Sequence, residues 1–176
     1  MNIRKLTREE IVETIKPLFG KPCCRKQVGL IKSLGLGFGK KVFLESSELR
    51  DRLKHPFRGE WEIGTWNLCS WRISRENIII CDSNDSSEIE KLDSAVEKID
   101  FGHIVELLQP NDFDVRAIFD NGIYVDFFAT VSDRGEDEDD TFHVFCPNNI
   151  FVAYYAGQGW AIKKSNVGRM NKPKEV

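Results

Sequence analysis

An acidic stretch, "SDRGEDEDDTF" (132–142), holds the densest group of chemically active side chains in the sequence. Residues 133–140, which we name the acidic segment, carry six carboxylates and one arginine. Clustered carboxylates can bind a hard cation such as Ca²⁺, or attract a basic partner through their electric field. The carboxylates belong to Asp133, Glu136, Asp137, Glu138, Asp139 and Asp140.

The spacing of these acids argues against a metal site. A cation cage needs oxygen ligands fixed in register, and a run of consecutive acids does not provide that. Two interpretations remain, a solvated hairpin loop between two strands and a docking surface for a basic partner. The segment contributes −5 to a formal net charge of −3, so it alone makes the chain acidic. A docking role predicts fast association that weakens with added salt.

No other set of residues resembles an established catalytic motif. The three histidines, His55, His103 and His143, lie far apart in the sequence. Cys146 follows His143 by three positions, which places the two side chains on opposite faces of a strand. An enzyme or small-ligand binder is the alternative function, and it requires a pocket in the curved sheet lined by His103, His143 or Cys146. We expect no cofactor and no metal.

Composition and length are those of an ordinary globular protein. The chain has 176 residues, 41% hydrophobic and 30% charged, which favours one compact domain. Its five cysteines lack the spacing of a disulfide framework, so we expect free thiols and a cytoplasmic protein. The first twenty residues do not have the pattern of a signal peptide, and no stretch approaches the roughly 20 apolar residues of a membrane helix.

Charge is distributed unevenly along the chain. Residues 1–41 carry +7, residues 42–162 carry −14 and residues 163–176 carry +4. A sheet that stacks bases on tryptophans needs a basic groove, so the acidic middle disfavours nucleic-acid binding. A third hypothesis, a regulatory module, allows such binding through the basic N-terminus alone. We divide the chain into a basic helical segment (1–41), an α+β sheet domain (42–164) and a polar basic tail (165–176).

The N-terminal segment predicts two helices followed by a glycine-rich stretch. The residues "TREE" (7–10) form a capping box, and an apolar stripe from Ile11 to Leu18 continues the first helix. A second helix is predicted over 24–34. The stretch "GLGFGKK" (35–41) lacks the spacing of a phosphate-binding loop. We therefore expect a strand entry where another backbone approaches closely.

From Trp61 onward the apolar period becomes two, which predicts strands. In "FDVRAIF" the alternate residues from Phe113 to Phe119 are expected to point inward, and "DNG" (120–122) predicts a hairpin turn. One segment in this part of the chain, about 86–99, is instead predicted to be a helix, with Asp85 or Ser86 as its cap.

These elements define the predicted fold class, which is α+β. N-terminal helices precede a mostly antiparallel, curved β-meander of about seven or eight strands, and one helix (about 86–99) packs against it.

The stretches "GEWEIGTWNLCSWRI" and "FHVFCPNNIFVAYYAGQGWAIKK", which follow one another in this order along the chain, resemble a group of small bacterial proteins. In that group a Gly-Glu-aromatic strand leads to Trp-Arg-Ile, a strand pair surrounds an F-x-N-G turn, and Gly-x-x-Trp opens the final strand. Here the turn is "FDNG" (119–122) and the final strand opens with "GQGW" (157–160). The resemblance covers roughly residues 30–164.

Members of that group resemble immunity proteins of bacterial toxin systems. The resemblance implies a non-catalytic protein that binds and neutralises a cognate toxin domain. Many nuclease toxins are basic because their substrate is polyanionic, so an acidic segment suits their inhibition. Tyr124, Tyr154 and Tyr155 are the expected aromatic anchors of the interface.

Overall fold

The computed structural model describes residues 4–5, 8–43, 54–65, 70–129 and 141–164. In that part of the chain, strands predominate and every pairing between them is antiparallel. The predicted antiparallel α+β class is therefore confirmed. No described helix is long and apolar enough to cross a membrane.

The described elements, in chain order, begin with β1 (Arg4–Lys5), α1 (Arg8–Ile15), β2 (Cys23–Val28), β3 (Leu34–Phe43), β4 (Phe57–Gly64), β5 (Ser70–Arg75) and β6 (Ile78–Asp82). They continue with α2 (Ile89–Glu97), β7 (Ile104–Leu108), β8 (Val115–Phe119), β9 (Ile123–Phe128), β10 (Phe142–Cys146), β11 (Ile150–Tyr155) and β12 (Gly159–Lys164). Short 3₁₀ turns follow α1 (Lys16–Leu18) and β10 (Pro147–Asn149).

The strands form two sheets, where the sequence predicts a single meander of seven or eight strands. A seven-stranded sheet has the order β1-β12-β11-β10-β4-β3-β2, and a five-stranded sheet has the order β6-β5-β9-β8-β7. All the strands between β4 and β10 belong to the five-stranded sheet. Both the strand number and the single-meander topology were therefore wrong, because alternation shows that a strand forms but not which strand pairs with it.

The connection that contains the acidic segment joins the two sheets. It leaves β9, whose neighbours are β5 and β8, and enters β10, whose neighbours are β4 and β11. The predicted hairpin between these strands is therefore wrong. The acidic segment itself lies outside the described residues.

Aromatic side chains from both sheets meet in one hydrophobic core. Phe38 on β3 stacks on Phe119 on β8, with ring centroids 6.0 Å apart. Phe127 on β9 contacts Phe142 on β10, with centroids 4.8 Å apart. All four rings are buried. The inward residues of each strand alternate with outward ones, so each sheet presents an outer face opposite this core.

Glycines allow β3 and β4 to pair closely. A Cβ atom on Gly59 would lie 2.5 Å from the amide nitrogen of Phe38 and 2.5 Å from the carbonyl oxygen of Trp61. A Cβ atom on Gly37 would lie 3.1 Å from the nitrogen of Gly59. The expectation of a strand with a closely approaching backbone at 35–41 is thus confirmed.

The second predicted helix, over 24–34, is wrong. Residues 23–28 form β2, which pairs with β3 through Val28 opposite Leu34. The apolar stripe that suggested a helix is incomplete, since Ile31 is exposed in the turn between the strands. Pairing with β3 therefore outweighs the weak local helical pattern. The proposed domain boundary after residue 41 falls inside β3.

The first helix is confirmed over Arg8–Ile15, with Ile11, Ile15 and Leu18 buried in the core. Its capping box depends on Thr7, which lies outside the described residues. Val12, at the edge of the apolar stripe, is exposed.

The helix α2 packs on β2 and covers that edge of the seven-stranded sheet. Leu92 and Val96 on this helix are buried, and so is Ile99, just after its end. The main-chain amide of Val28 donates to Asp93 Oδ1 at 2.8 Å. Lys54 Nζ lies 2.5 Å from Asp93 Oδ2 and 3.1 Å from a Glu97 carboxylate oxygen.

The predicted cap of this helix is wrong. The helix begins at Ile89, and its cap residue Glu88 makes no capping hydrogen bond through its side chain. Asp85 instead accepts the main-chain amide of Ser87 at 2.8 Å, which forms a local turn before the helix.

The strand β8 and its hairpin follow the predicted alternation, with one exception. Val115, Ala117 and Phe119 are buried, but Phe113 is 48% exposed. Asn111 Oδ1 accepts the amide of Phe113 at 2.7 Å, so Phe113 belongs to a turn and not to the strand. At the other end of β8 the predicted hairpin is present, and Gly122 adopts a φ of 80° there.

Candidate binding surface

The outer face of the five-stranded sheet carries a row of side chains that spans all five strands, and four of its five residues are charged. In register, Asp82 lies beside Arg72, Arg72 beside Asp126, Asp126 beside Arg116, and Arg116 beside Leu108. Each belongs to the strand position that alternates with a buried core residue. Opposite charges on adjacent strands stabilise a sheet face. We name this set and its neighbours Tyr124 and Phe128 the outer face.

Arg116 and Asp126 form the centre of the row. Arg116 Nε and Nη2 donate to the two carboxylate oxygens of Asp126 at 2.5 and 3.0 Å, a bidentate geometry. Asp126 is only 6% exposed, so its charge depends on this partner. The hydrogen bond to Asp126 raises the pKa of Arg116 above its ordinary value. This ion pair fixes both side chains on the surface.

Within the described residues, Arg72 makes fewer of its possible hydrogen bonds than Arg116 does. Its Nε lies 4.0 Å from Asp82 Oδ2, which is beyond hydrogen-bond distance. Within the described residues the same Nε is buried without a hydrogen-bond partner. The guanidinium carbon lies 5.3 Å from the centre of the Phe128 ring. An arginine held beside an aromatic ring in this way can donate from its terminal nitrogens to a carboxylate or carbonyl group of a partner.

Tyr124 lies next to the charged row, between Ser74 on β5 and Ile118 on β8. The guanidinium of Arg116 lies 4.3 Å from the centre of its ring. Its hydroxyl donates to Asn77 Oδ1 at 3.3 Å. These contacts hold a half-buried aromatic ring in a fixed position, which is the property expected of an interface anchor.

Exposed apolar side chains lie at the two edges of this sheet. On β6, Ile78, Ile79 and Ile80 are 71%, 52% and 44% exposed. On β7, Val105 and Leu108 are also exposed. Several large aliphatic residues exposed together are unusual for a surface without a partner and are typical of interaction sites.

Only one of the three predicted tyrosine anchors belongs to this surface. The hydroxyl of Tyr154 points toward the core side of β11, where it donates to the carbonyl of Asp112 at 2.5 Å. Tyr155 is buried on the opposite side of β11, and its hydroxyl accepts a hydrogen bond from Lys163 Nζ. Both rings are buried in the described structure. Tyr124 is half-buried and lies on the outer face, beside Arg116 and the exposed Asn77.

The six predicted acidic site residues lie outside the described residues. In the sequence they come after β9, the strand that carries Tyr124, Asp126 and Phe128. Their partner-binding role stays a prediction.

Sequence reasoning missed Arg72, Arg116 and Asp126 as site residues. The signal was present in part, because alternation in "SWRISR", "VRAIF" and "YVDFF" places all three opposite the core. What alternation could not supply was the register of β5, β8 and β9, which brings them into one row.

His103 forms a close pair with Asp120. His103 Nδ1 lies 2.7 Å from Asp120 Oδ2, and the main-chain amide of His103 donates to Asp120 Oδ1 at 2.9 Å. Both hydrogen bonds hold the pKa of Asp120 below its ordinary value. Cys23 donates its amide to the neighbouring carbonyl of Gly102, but burial raises the pKa of its thiol to about 12. Cys23 is thus not a nucleophile. The pair of His103 and Asp120 fastens the start of β7 to the turn between β8 and β9.

The strand β10 separates His143 from Cys146, as predicted. Cys146 lies in the main core, where burial raises the pKa of its thiol to about 12. His143 is on the other side, with its ring centroid 5.1 Å from Phe145 and 5.4 Å from Phe151. The two do not form a nucleophile and base.

Tryptophans of the described chain serve the core. Trp61 and Trp71 are buried, and Trp71 Nε1 donates to the carbonyl of Lys32 at 2.6 Å. Trp66 lies outside the described residues. Among the described residues, no group of three histidine, cysteine, aspartate or glutamate side chains is arranged to hold a metal ion.

Comparisons with protein-family models, with curated proteins and with solved structures find no match to this chain.

Proposed function

We propose that the protein is a non-catalytic, immunity-type binding protein that neutralises a basic toxin domain in the bacterial cytoplasm. The observation that carries the proposal is the outer face, where Tyr124, Arg72 and Arg116 are held in fixed positions beside exposed apolar edges. Tyrosine and arginine are the residue types most often found as energetic anchors of protein interfaces.

The acidic segment supports the same proposal through electrostatics. In the sequence it begins five residues after Phe128, the last residue of β9. A segment of charge −5 would speed the encounter with a basic domain, and the packed aromatic and arginine side chains of the outer face would then set the lifetime of the complex. The cytoplasmic part of the proposal is supported by four described cysteines that are free thiols.

The test is a growth-rescue and binding experiment with the toxin domain encoded beside this chain's gene. We expect the wild-type chain to restore growth of cells that express the toxin domain and to bind it in surface plasmon resonance. Tyr124→Ala should raise the Kd by about thirtyfold or more, which corresponds to an anchor worth about 2 kcal/mol. Lys91→Ala, a change at an exposed residue of α2, is the matched control and should leave the Kd unchanged.

A second variant tests the acidic segment. Reversing the charges at Asp137, Glu138, Asp139 and Asp140 should lower the association rate at low salt and flatten its dependence on ionic strength. A wild-type chain that neither binds the toxin domain nor restores growth refutes the proposal. Unchanged association of the charge-reversed variant at low salt removes the acidic segment from the interface.

A further inference from the structure

The strand β6 is an open edge of the five-stranded sheet. Within the described residues it pairs with β5 alone, so one side of its backbone has no strand beside it. Unpaired amides and carbonyls along a strand edge are a template for another strand. The edge runs over Ile78–Asp82, and its residues 78–81 include neither lysine nor proline, the residues that commonly protect such edges.

The other long edges use some of their main-chain groups in contacts within the chain. On β2, the amide of Val28 donates to Asp93, and the carbonyl of Lys26 accepts from His55 Nε2 at 3.1 Å. On β7, the carbonyl of Ile104 accepts the amide of Gly20 at 2.7 Å. On β6, the carbonyl of Asp82 accepts the amide of Asp85 at 3.2 Å, whereas residues 78–81 make no main-chain hydrogen bond within the described residues other than those to β5.

Side chains on β6 suit an apolar partner strand. Ile79 lies opposite Ser74, on the same side of the sheet as the outer face, whereas Ile78 lies opposite Arg75. Ile78 and Ile79 are thus exposed on opposite faces of β6. A strand added at this edge would bury both with alternate side chains of its own, which is the pattern of β-strand addition.

Charge beyond β6 indicates the chemistry of the occupant. Residues 82–90 contain Asp82, Asp85, Glu88 and Glu90 and no basic residue. The cations within reach are Arg72, 4.0 Å from Asp82, Lys32, whose Nζ donates to the carbonyl of Asp85, and Lys91, 3.8 Å from Glu88. Four carboxylates against three cations leave an acidic excess at the C-terminal end of β6. In an antiparallel pairing, the N-terminal end of an added strand lies there.

We propose that β6 accepts one antiparallel strand from a partner protein, an extended segment with apolar residues that follow a short run of lysine or arginine. The identity of that partner as the toxin domain rests on the proposed function. The docking edge lies on β6, whereas Tyr124 lies on β9.

The first experiment uses a synthetic peptide, acetyl-Lys-Lys-Arg-Val-Thr-Val-Thr-Val-amide, with the full chain. Titration to about 1 mM, followed by amide chemical shifts, should move the signals of residues 76–90 and of β5, and the β6 amides should exchange more slowly with solvent. A peptide with glutamates in place of the three basic residues should bind at least tenfold more weakly. Failure of the basic peptide to bind by about 1 mM overturns the inference.

Two variants make the test specific. Ile79→Lys places a charge on the edge and should weaken peptide binding at least tenfold, whereas Leu30→Lys changes a still more exposed aliphatic residue in the β2–β3 turn and should have no effect. Equal weakening by both variants overturns the inference. Protection of the β6 amides that rises with protein concentration without peptide would show that the occupant is a second copy, which also overturns it.

A third readout separates this inference from the proposed function. If Ile79→Lys neutralises the toxin domain as well as the wild type does, and the basic peptide does not bind, the edge inference fails while the outer-face proposal stands. If the peptide binds β6 but the toxin domain does not bind the chain, the edge stands and the proposed function fails.

Discussion

Replacing Gly59 by alanine should destabilise the protein strongly, because the added methyl group has no space between β3 and β4. The new Cβ atom would lie 2.5 Å from the amide nitrogen of Phe38 and 2.5 Å from the carbonyl oxygen of Trp61. Favourable contacts between heavy atoms occur at about 3.5–4.0 Å, so the overlap is about 1 Å. The obstructing atoms belong to the backbone of two paired strands and cannot rotate away.

The expected magnitude follows from this geometry. Overpacking a core costs about 1–3 kcal/mol when side chains can adjust. Since backbone must move here, we expect the upper end, about 3 kcal/mol of the free energy of unfolding. For a chain of this length that loss lowers Tm by about 6–12 °C.

Gly35→Ala is the matched control, because it lies in the same strand pair but has space. Its Cβ atom would meet nothing nearer than the carbonyl oxygen of Gln27 at 4.0 Å. Alanine there should be neutral or stabilise by about 0.4–1 kcal/mol through the unfolded state. Urea denaturation followed by circular dichroism and tryptophan fluorescence measures both variants. A Gly59→Ala protein as stable as the wild type, or a Gly35→Ala protein equally destabilised, would refute the reasoning.

Three further predictions concern polar and titratable groups. Tyr154→Phe removes the hydroxyl that donates to the Asp112 carbonyl, and urea denaturation should show a loss of about 1–1.5 kcal/mol; an unchanged midpoint would contradict it. Burial raises the pKa of the Cys81 thiol to about 11 and that of Cys146 to about 12, so peptide mapping after iodoacetamide treatment at pH 8 should find both unmodified in the native protein and modified in guanidinium chloride. The pKa of Asp120 is lowered by its hydrogen bonds from His103, so its stabilising effect is present above the ordinary aspartate pKa of about 3.9 and is lost as pH falls through the lower folded pKa. Asp120→Asn should accordingly be less stable than wild type at neutral pH, with a difference that shrinks in acid, and a pH-independent difference would show that the carboxylate charge is not the cause.

Period-two alternation located most of the strands correctly, because it records directly which face of a strand is buried. In β8, Val115, Ala117 and Phe119 follow the predicted inward positions. Phe113 did not follow them, since the Asn111 side chain organises a turn before the strand. Local patterns thus predict an element better than they predict its first residue.

Long-range pairing could not be derived from the sequence. The segment 24–34 has a weak helical pattern, and only its pairing with β3 makes residues 23–28 a strand. The division into two sheets depends on β4 meeting β10, a contact between distant segments. No local signal specifies such a partner.

The sequence could predict single residues of the candidate surface, but not how the strands arrange them. Tyr124 was expected as an anchor and does lie on the outer face. Tyr154 was expected for the same role, but its large ring fills the core. The bidentate pair of Arg116 and Asp126 depends on the register of β8 and β9, which turn and alternation patterns leave open.

The order of strands along the chain has a consequence for how the protein folds. The strands β5–β9 come from one continuous segment, residues 70–128, and their most distant pairing, β5 with β9, joins residues roughly fifty positions apart. The seven-stranded sheet instead joins β4 to β10 through residues roughly eighty positions apart. The loop-closure cost of that pairing is exceeded by that of β1 with β12, where Arg4 lies opposite Ile162, and it places the β4–β10 contact late on the folding pathway. During synthesis, β4 must therefore wait as an unpaired sheet edge beside β3 until β10 has left the ribosome.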